Sequence, residues 1–222
     1  MTLEFEQLKA ELEAVARPER AEQEKRYLKS ELRFLGAGLP AIRAAAKRHR
    51  AKDREALVHL CAQLWATDVH ELHAVACVLL EIQARLLEPQ DLPWLCGLLR
   101  TSYTWAYVDQ LAAHTVGDIV RRHPETRAVL RAWAQDDDVW VRRAALLAEL
   151  IELRSGRGDF AHFATLAVPM LGDKSFWIRK AIGWVLRDVS KKRPELTRDF
   201  VAQHGPRMAG LTLREATRRL PE

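Results

Sequence analysis

The sequence predicts an all-α fold, an α-α superhelix built as a repeat solenoid with a concave basic face. Two observations carry that expectation. The first is a cassette that recurs: Asp137-Asp138-Val139-Trp140-Val141-Arg142-Arg143-Ala144-Ala145 returns as Lys174-Ser175-Phe176-Trp177-Ile178-Arg179-Lys180-Ala181-Ile182, with the two tryptophans 37 residues apart. A weaker echo, Thr104-Trp105-Ala106-Tyr107-Val108, stands 35 residues before Trp140. A period in the high thirties carried by helical sequence marks paired-helix units that stack on one another. The second observation is helical periodicity from end to end, broken only where glycine and proline fall, with no convincing strand.

The elements follow in order from those breaks. Helices are expected near 3–16 and 18–33, the second closed by Gly36-Ala37-Gly38-Leu39-Pro40. Segments 40–50, 53–66 and 69–87 come next, up to Glu88-Pro89, and then 90–100. Thr104 is an N-cap candidate for 104–122, which stops at His123-Pro124 before 124–134. Asp138 caps 138–154 up to Gly156-Arg157-Gly158, followed by 159–170 and Gly172. Ser175 caps 175–191, Arg193-Pro194 opens 194–203, and Gly205-Pro206 precedes 211–219. Short turns between amphipathic helices make neighbours antiparallel. The Asp-x-x-Val-Arg-x-Ala-Ala pattern at Asp138–Ala145 resembles the second-helix signature of HEAT repeats, and Glu71-Leu72-His73-Ala74-Val75-Ala76 is a relative of it, Leu72 lying 69 residues before Val141. No linker is long or polar enough to part the chain, so residues 1–222 read as a single domain.

A chain of 222 residues has room for one good core, or for roughly five to six two-helix units. No apolar run approaches the ~20 residues of a membrane span. The start, Met1-Thr2-Leu3-Glu4-Phe5-Glu6, is acidic and lacks the basic-then-apolar layout of a signal peptide, so a cytoplasmic protein is expected. Cys61, Cys77 and Cys96 are odd in number, lie in apolar helical pattern and have no metal-type spacing, which reads as buried free thiols. The net charge of +5 suits a nucleic-acid partner. Its distribution says more. Residues 1–31 hold eight Glu against six Lys and Arg, whereas cations gather at Arg43, Lys47, Arg48, Arg50, Lys52 and Arg54, and again at Arg187, Lys191, Lys192, Arg193 and Arg198.

Between those runs lies a candidate working face. On segment 175–191, Lys180, Trp184, Arg187 and Lys191 fall at i, i+4, i+7 and i+11 and form one stripe, beside a core face of Ile178, Ala181, Ile182, Val185 and Leu186. Repeat register puts Arg143 where Lys180 sits, aimed the same way; the bland alternative is a surface arginine paired with Glu149 or Asp138. Trp105 and Asp109, at i and i+4, share a face of segment 104–122. A carboxylate on a face meant only to hold phosphates would repel them, so it either favours the helix dipole or stabilises a cation developing in a bound substrate. His70-Glu71-Leu72-His73 has metal-like residues but no third ligand, and Gly156-Arg157-Gly158 is a turn rather than a phosphate loop, since no strand precedes it.

Thr104-Trp105-Ala106-Tyr107-Val108-Asp109, Trp140-Val141-Arg142-Arg143-Ala144-Ala145-Leu146-Leu147 and Phe176–Arg187 resemble the DNA alkylation repair family, the AlkD-like HEAT-repeat DNA glycosylases. Lys180-Ala181-Ile182-Gly183-Trp184-Val185-Leu186-Arg187 is the most specific of these, and Arg26-Tyr27-Leu28-Lys29 with Phe34-Leu35-Gly36 extends the likeness over nearly the whole chain. The resemblance implies an enzyme that releases N3- and N7-alkylated purines from double-stranded DNA; with no lyase lysine identifiable, monofunctional hydrolysis leaving an abasic site is expected. It implies Trp105, Asp109 and Trp184 as catalytic-pocket residues, Arg143 as a DNA contact near the lesion, and Tyr27 as a further contact. Lys180, Arg187, Lys191, Arg43 and Lys47 complete the DNA-binding set. A monomer that needs neither metal nor cofactor is expected. Ala106-Tyr107 stands where the family often has Trp-Asp, a departure that bears on substrate range. The competing reading is a non-catalytic HEAT-repeat scaffold that binds DNA or an acidic protein; a repeat RNA reader would need more equivalent base-reading positions than two matching units supply.

Overall fold

A computed structural model describes residues 2–220, and their secondary structure is helical throughout, apart from one isolated parallel bridge between Arg33 and Val69. By internal contacts the chain divides into two compact units, Met1–Leu111 and Ala112–Glu222.

The first unit holds α1 (Leu3–Ala14), α2 (Pro18–Leu28), α3 (Gly38–Arg48), α4 (Arg54–Trp65), α5 (His70–Ile82), α6 (Leu92–Arg100) and α7 (Trp105–Gln110). Thr2, Asp53 and Thr104 cap α1, α4 and α7 by accepting backbone N–H bonds from Phe5, Ala56 and Ala106. α5 is buried on nearly all sides, which is why its sequence is apolar around the whole helix, and it packs on α3, α4 and α7. Leu57, Leu64, Leu72 and Leu79 form the heart of this core, each side chain contributing about 1.5–3 kcal/mol by leaving water.

α2 is shorter than its helical pattern. Lys29 turns left-handed at φ 51° and ends it, and the following strip gives its backbone groups to tertiary partners instead of to a helix. The Arg33 N–H donates to the Asp68 carbonyl at 2.7 Å, and the His70 N–H donates to the Arg33 carbonyl at 2.9 Å. The Glu71 carboxylate, fully buried, accepts the N–H groups of Leu35 (2.9 Å), Gly36 (2.6 Å) and Ala37 (3.4 Å). Gly36 is required here. Its φ is +75°, and a β-carbon would come within 2.2 Å of the Arg17 carbonyl oxygen.

The second unit opens inside the segment that α7 begins. After Gln110 the helix widens into a π-helical stretch, Leu111–Val116, before α8 (Gly117–Arg122). Then come α9 (Arg127–Trp133), α10 (Val139–Leu147), α11 (Leu150–Arg154), α12 (Phe160–Ala167), α13 (Phe176–Val189), α14 (Pro194–His204) and α15 (Gly210–Thr217). The expected helix 138–154 is thus two, parted at Ala148-Glu149. Asp138 and Ser175 cap α10 and α13 as their positions in the repeated cassette suggest. α13 carries the core of this unit, packing on α10, α11 and α15 through Ile178, Val185 and Leu186. Gly183 is the point of closest approach to α15, where a β-carbon would meet the Glu215 side chain at 2.6 Å and the Thr212 carbonyl at 3.0 Å. The glycine of the Lys-Ala-Ile-Gly-Trp motif is therefore a packing residue.

No helix among the described residues is long and apolar enough to cross a membrane. Cys61 and Cys77 are buried free thiols, and Cys96 is a half-buried one.

Candidate functional site

In the first unit, Trp105 opens α7 and Asp109 stands one turn later on the same face, both half-buried. Tyr27, near the end of α2, sets its ring edge-on to Trp105, with centroids 6.0 Å apart, while staying 72% exposed. The structure thus brings together three of the residues singled out in sequence. Beneath them Tyr107, on the opposite face of α7, is buried. Its hydroxyl lies against His70 Nδ1 and reaches the His70 carbonyl at 3.2 Å. His70 stacks on Phe34 (4.2 Å), His73 stacks on Trp65 (4.6 Å), and the Trp65 indole donates to Thr101 Oγ1 at 2.9 Å. This floor of aromatic and imidazole rings holds α7 against α5.

Burial pushes the His70 imidazole down to about 4, with the nearby His73 as a smaller contribution in the same direction, and it lowers His73 as well. Burial likewise raises the Tyr107 phenol. The rings beneath Trp105 and Asp109 are therefore neutral at pH 7. His73 Nε2 bonds the Thr67 carbonyl at 2.9 Å, and Glu71 caps the 35–37 strip. His70-Glu71-Leu72-His73 is structural, and no group of three or more metal-ligating side chains is found among the described residues.

Arg43 and Lys47 are exposed on α3, Arg43 pairing with Glu81 at 3.6 Å. Glu81 also accepts from Gln110 at 2.8 Å.

In the second unit, the half-buried Trp184 donates its indole N–H to Asp188 Oδ2 at 3.1 Å, one turn further along α13. Asp188 is buried and also accepts from Arg154 Nε at 2.8 Å and from Lys191. Burial pushes its carboxyl up, but hydrogen bonds from Lys191 and Arg154 outweigh this and hold it below the usual range. The one sequence signal that points to Asp188 is that Trp184 and Asp188 repeat the i, i+4 spacing of Trp105 and Asp109.

The basic stripe of α13 is matched by carboxylates. Lys180 reaches Glu215 on α15 at 2.7 Å, Arg187 reaches the other oxygen of the same carboxylate, and Lys191 bonds Asp188. The hydrogen bond from Lys180, aided by the charge of Arg187, holds Glu215 below its ordinary value. Arg143 is only 2% exposed, so it does not project beside Lys180 as the repeat register suggests. It donates to the Trp177 carbonyl at 2.6 Å and lies over the Trp177 ring at 5.7 Å, while Trp177 in turn packs on Trp140 with centroids 5.2 Å apart. The carboxylates considered for it serve elsewhere: Asp138 caps α10, and Glu149 accepts from Arg127 and His162.

Comparison with known proteins places the chain. A family model described as DNA alkylation repair enzyme matches residues 8–220. Among solved structures, one described as "Predicted DNA alkylation repair enzyme from Enterococcus faecalis" superposes with a TM-score of 0.79 at 22% identity, covering 93% of this chain and 97% of that one. AlkD2 from Streptococcus mutans gives 0.63 at 18%, covering 83% and 91%. The Pseudomonas fluorescens alkylpurine DNA glycosylase AlkC, bound to DNA containing an abasic site analog, gives 0.54 at 20%, covering 98% of this chain and 62% of that one. These likenesses establish the helical-repeat fold. A search of the curated proteins returned no match.

Proposed function

Since the chain belongs to the DNA alkylation repair enzyme family, we propose that it is a monofunctional DNA glycosylase, hydrolysing the N-glycosidic bond of N3- and N7-alkylated purines in duplex DNA. The observation that carries this reading is the pairing of Trp105 with Asp109 on one face of α7, with the exposed Tyr27 set against the indole. An alkylated purine such as 7-methylguanine bears a formal positive charge and is already a good leaving group. As its bond to C1′ breaks, the bonding electrons go to the base and positive charge moves onto the deoxyribose. Water adds at C1′ and gives up its proton, leaving an abasic sugar.

Asp109, ionised, stabilises the oxocarbenium ion and orients that water. Two unit charges ~4 Å apart at an effective dielectric of ~20 interact by about 4 kcal/mol, roughly a thousandfold in rate. Trp105 contributes through its π face, about 0.5–2 kcal/mol toward a cationic base or sugar. Trp184 holds its role by the family likeness, with Asp188 fixing the indole. Arg43, Lys47 and Lys191 contact phosphates without reading sequence. For Lys180 and Arg187, phosphate contact exchanges the Glu215 carboxylate for a phosphate oxygen. We take the enzyme to act as a single-domain monomer in the cytoplasm, without a metal.

The test is release of 7-methylguanine from duplex DNA by the wild type and by Asp109→Asn. Release that falls at least ~100-fold on loss of the charge supports both the activity and the role of Asp109. Salt-sensitive DNA binding with no release of any alkylpurine would refute the enzyme reading in favour of a damage-binding scaffold.

A further inference from the structure

The turn that leads into α7 holds a tyrosine in a costly position. Tyr103 has φ 52°, in the left-handed region that a β-carbon disfavours, and it is one of two non-glycine residues in that region among those described. Tyr103 is 75% exposed, the highest of the large hydrophobic residues among those described. Everything around it is tied down. Thr101 Oγ1 donates to the Gly97 carbonyl at 3.0 Å and accepts the Trp65 indole N–H at 2.9 Å. Ser102, 2% exposed, donates to the Leu98 carbonyl at 2.9 Å, and Thr104, 3% exposed, caps α7. A turn needed only to end α6 would be served better by glycine or asparagine, both at ease at positive φ. An aromatic side chain with only two rotatable bonds loses little entropy when it is covered, which is what a contact residue needs. Tyr103 stands two residues before Trp105, and Tyr27 meets the same indole from α2. An exposed tyrosine therefore stands on each approach to Trp105, in space and in sequence.

We propose that Tyr103 is a base-stacking residue, its ring packing on the face of a nucleobase left uncovered beside the lesion in bound DNA. The proposal rests on the reading of the chain as a DNA repair enzyme. It extends that reading by naming the ligand surface: the flat face of a base, which a phenol covers without reading sequence. A ring presented to solvent by a pinned turn is suited to a base whose neighbour has been displaced.

The experiment uses the full-length protein and a DNA duplex holding an abasic-site analogue next to 2-aminopurine, whose fluorescence is quenched by stacking. Tyr103→Phe keeps wild-type affinity and quenching. Tyr103→Gly and Tyr103→Asn relieve the backbone, so their thermal midpoints hold or rise, yet affinity falls about tenfold, the size of one lost stacking contact, and the quenching goes with it. Opposed movement of stability and binding is what a merely structural turn residue cannot produce. Wild-type affinity and quenching in Tyr103→Gly or Tyr103→Asn would overturn the proposal, as would absence of DNA binding by the wild type. The readout needs no base release. A wild type that quenches 2-aminopurine but never releases 7-methylguanine leaves the stacking role standing and removes only the glycosylase.

Discussion

Replacing Glu71 by alanine should be the most damaging single change to the first unit outside its apolar core. The carboxylate is fully buried and accepts three backbone N–H groups, those of Leu35, Gly36 and Ala37. Alanine leaves these donors without their acceptor in a segment already packed against α2, where the Arg17 N–H bonds the Leu35 carbonyl at 2.8 Å. A buried donor left unsatisfied costs about 1–3 kcal/mol, and bonds to a charged acceptor lie at the upper end. The Ala37 bond, at 3.4 Å, is long and counts least. The two short bonds alone give a loss of about 3–5 kcal/mol, a large share of the 5–15 kcal/mol typical of a folded domain. Glu71→Gln keeps one carbonyl oxygen but turns an amide toward the donors, so an intermediate loss of about 1–2 kcal/mol is expected. Urea unfolding followed by far-ultraviolet circular dichroism measures this as a drop in midpoint at constant m-value. A Glu71→Ala loss below about 1 kcal/mol would show that water or a rearranged strip replaces the carboxylate, and the reasoning would fail.

Two further outcomes follow from the buried charges and rings. The His70 imidazole titrates at about 4 in the folded protein, against an ordinary value of about 6.5. Between these limits the unfolded chain binds a proton that the native state refuses, so His70's contribution is complete above pH 6.5 and is lost as pH falls toward 4, by up to about 3 kcal/mol. Urea midpoints measured from pH 7.5 to 4.5 should decline, and a flat profile would contradict the burial of neutral His70 beneath Tyr107. For Asp188→Asn, the Arg154 and Lys191 partners lose their counter-charge and Trp184 its charged acceptor. Stability should fall by about 1–3 kcal/mol, seen as a lower urea midpoint at pH 7, and an unchanged midpoint would mean the cluster is idle.

Much of this protein was readable from the chain, because the signals involved are local. Helix periodicity, glycine and proline breaks, and the caps Thr104, Asp138 and Ser175 all act within a few residues of themselves; the structure has these three caps where the pattern puts them, while it ends α2 at Leu28 and divides the expected helix 138–154 in two. The cassette around Trp140 and Trp177 repeats in the helices α10 and α13, and the family likeness covers the same motifs. The Trp105–Asp109 pair was legible for the same reason, since i and i+4 share a face on any helix.

What sequence spacing could not supply was the identity of partners distant along the chain. Lys180 and Arg187 look like a free basic stripe until α15 brings Glu215 between them, 35 and 28 residues away. Arg143 reads as a surface cation, yet folding buries it against Trp177, 34 residues on. Glu71 looks like part of a metal motif and instead accepts the backbone N–H groups of the 35–37 strip, 34 to 36 residues earlier in the chain. Tyr103 carries no pattern at all; its φ and exposure are set by the neighbours that pin the turn. A charge or ring is assigned its role by what lies within a few ångströms, and for these residues that neighbourhood comes from elements remote in sequence.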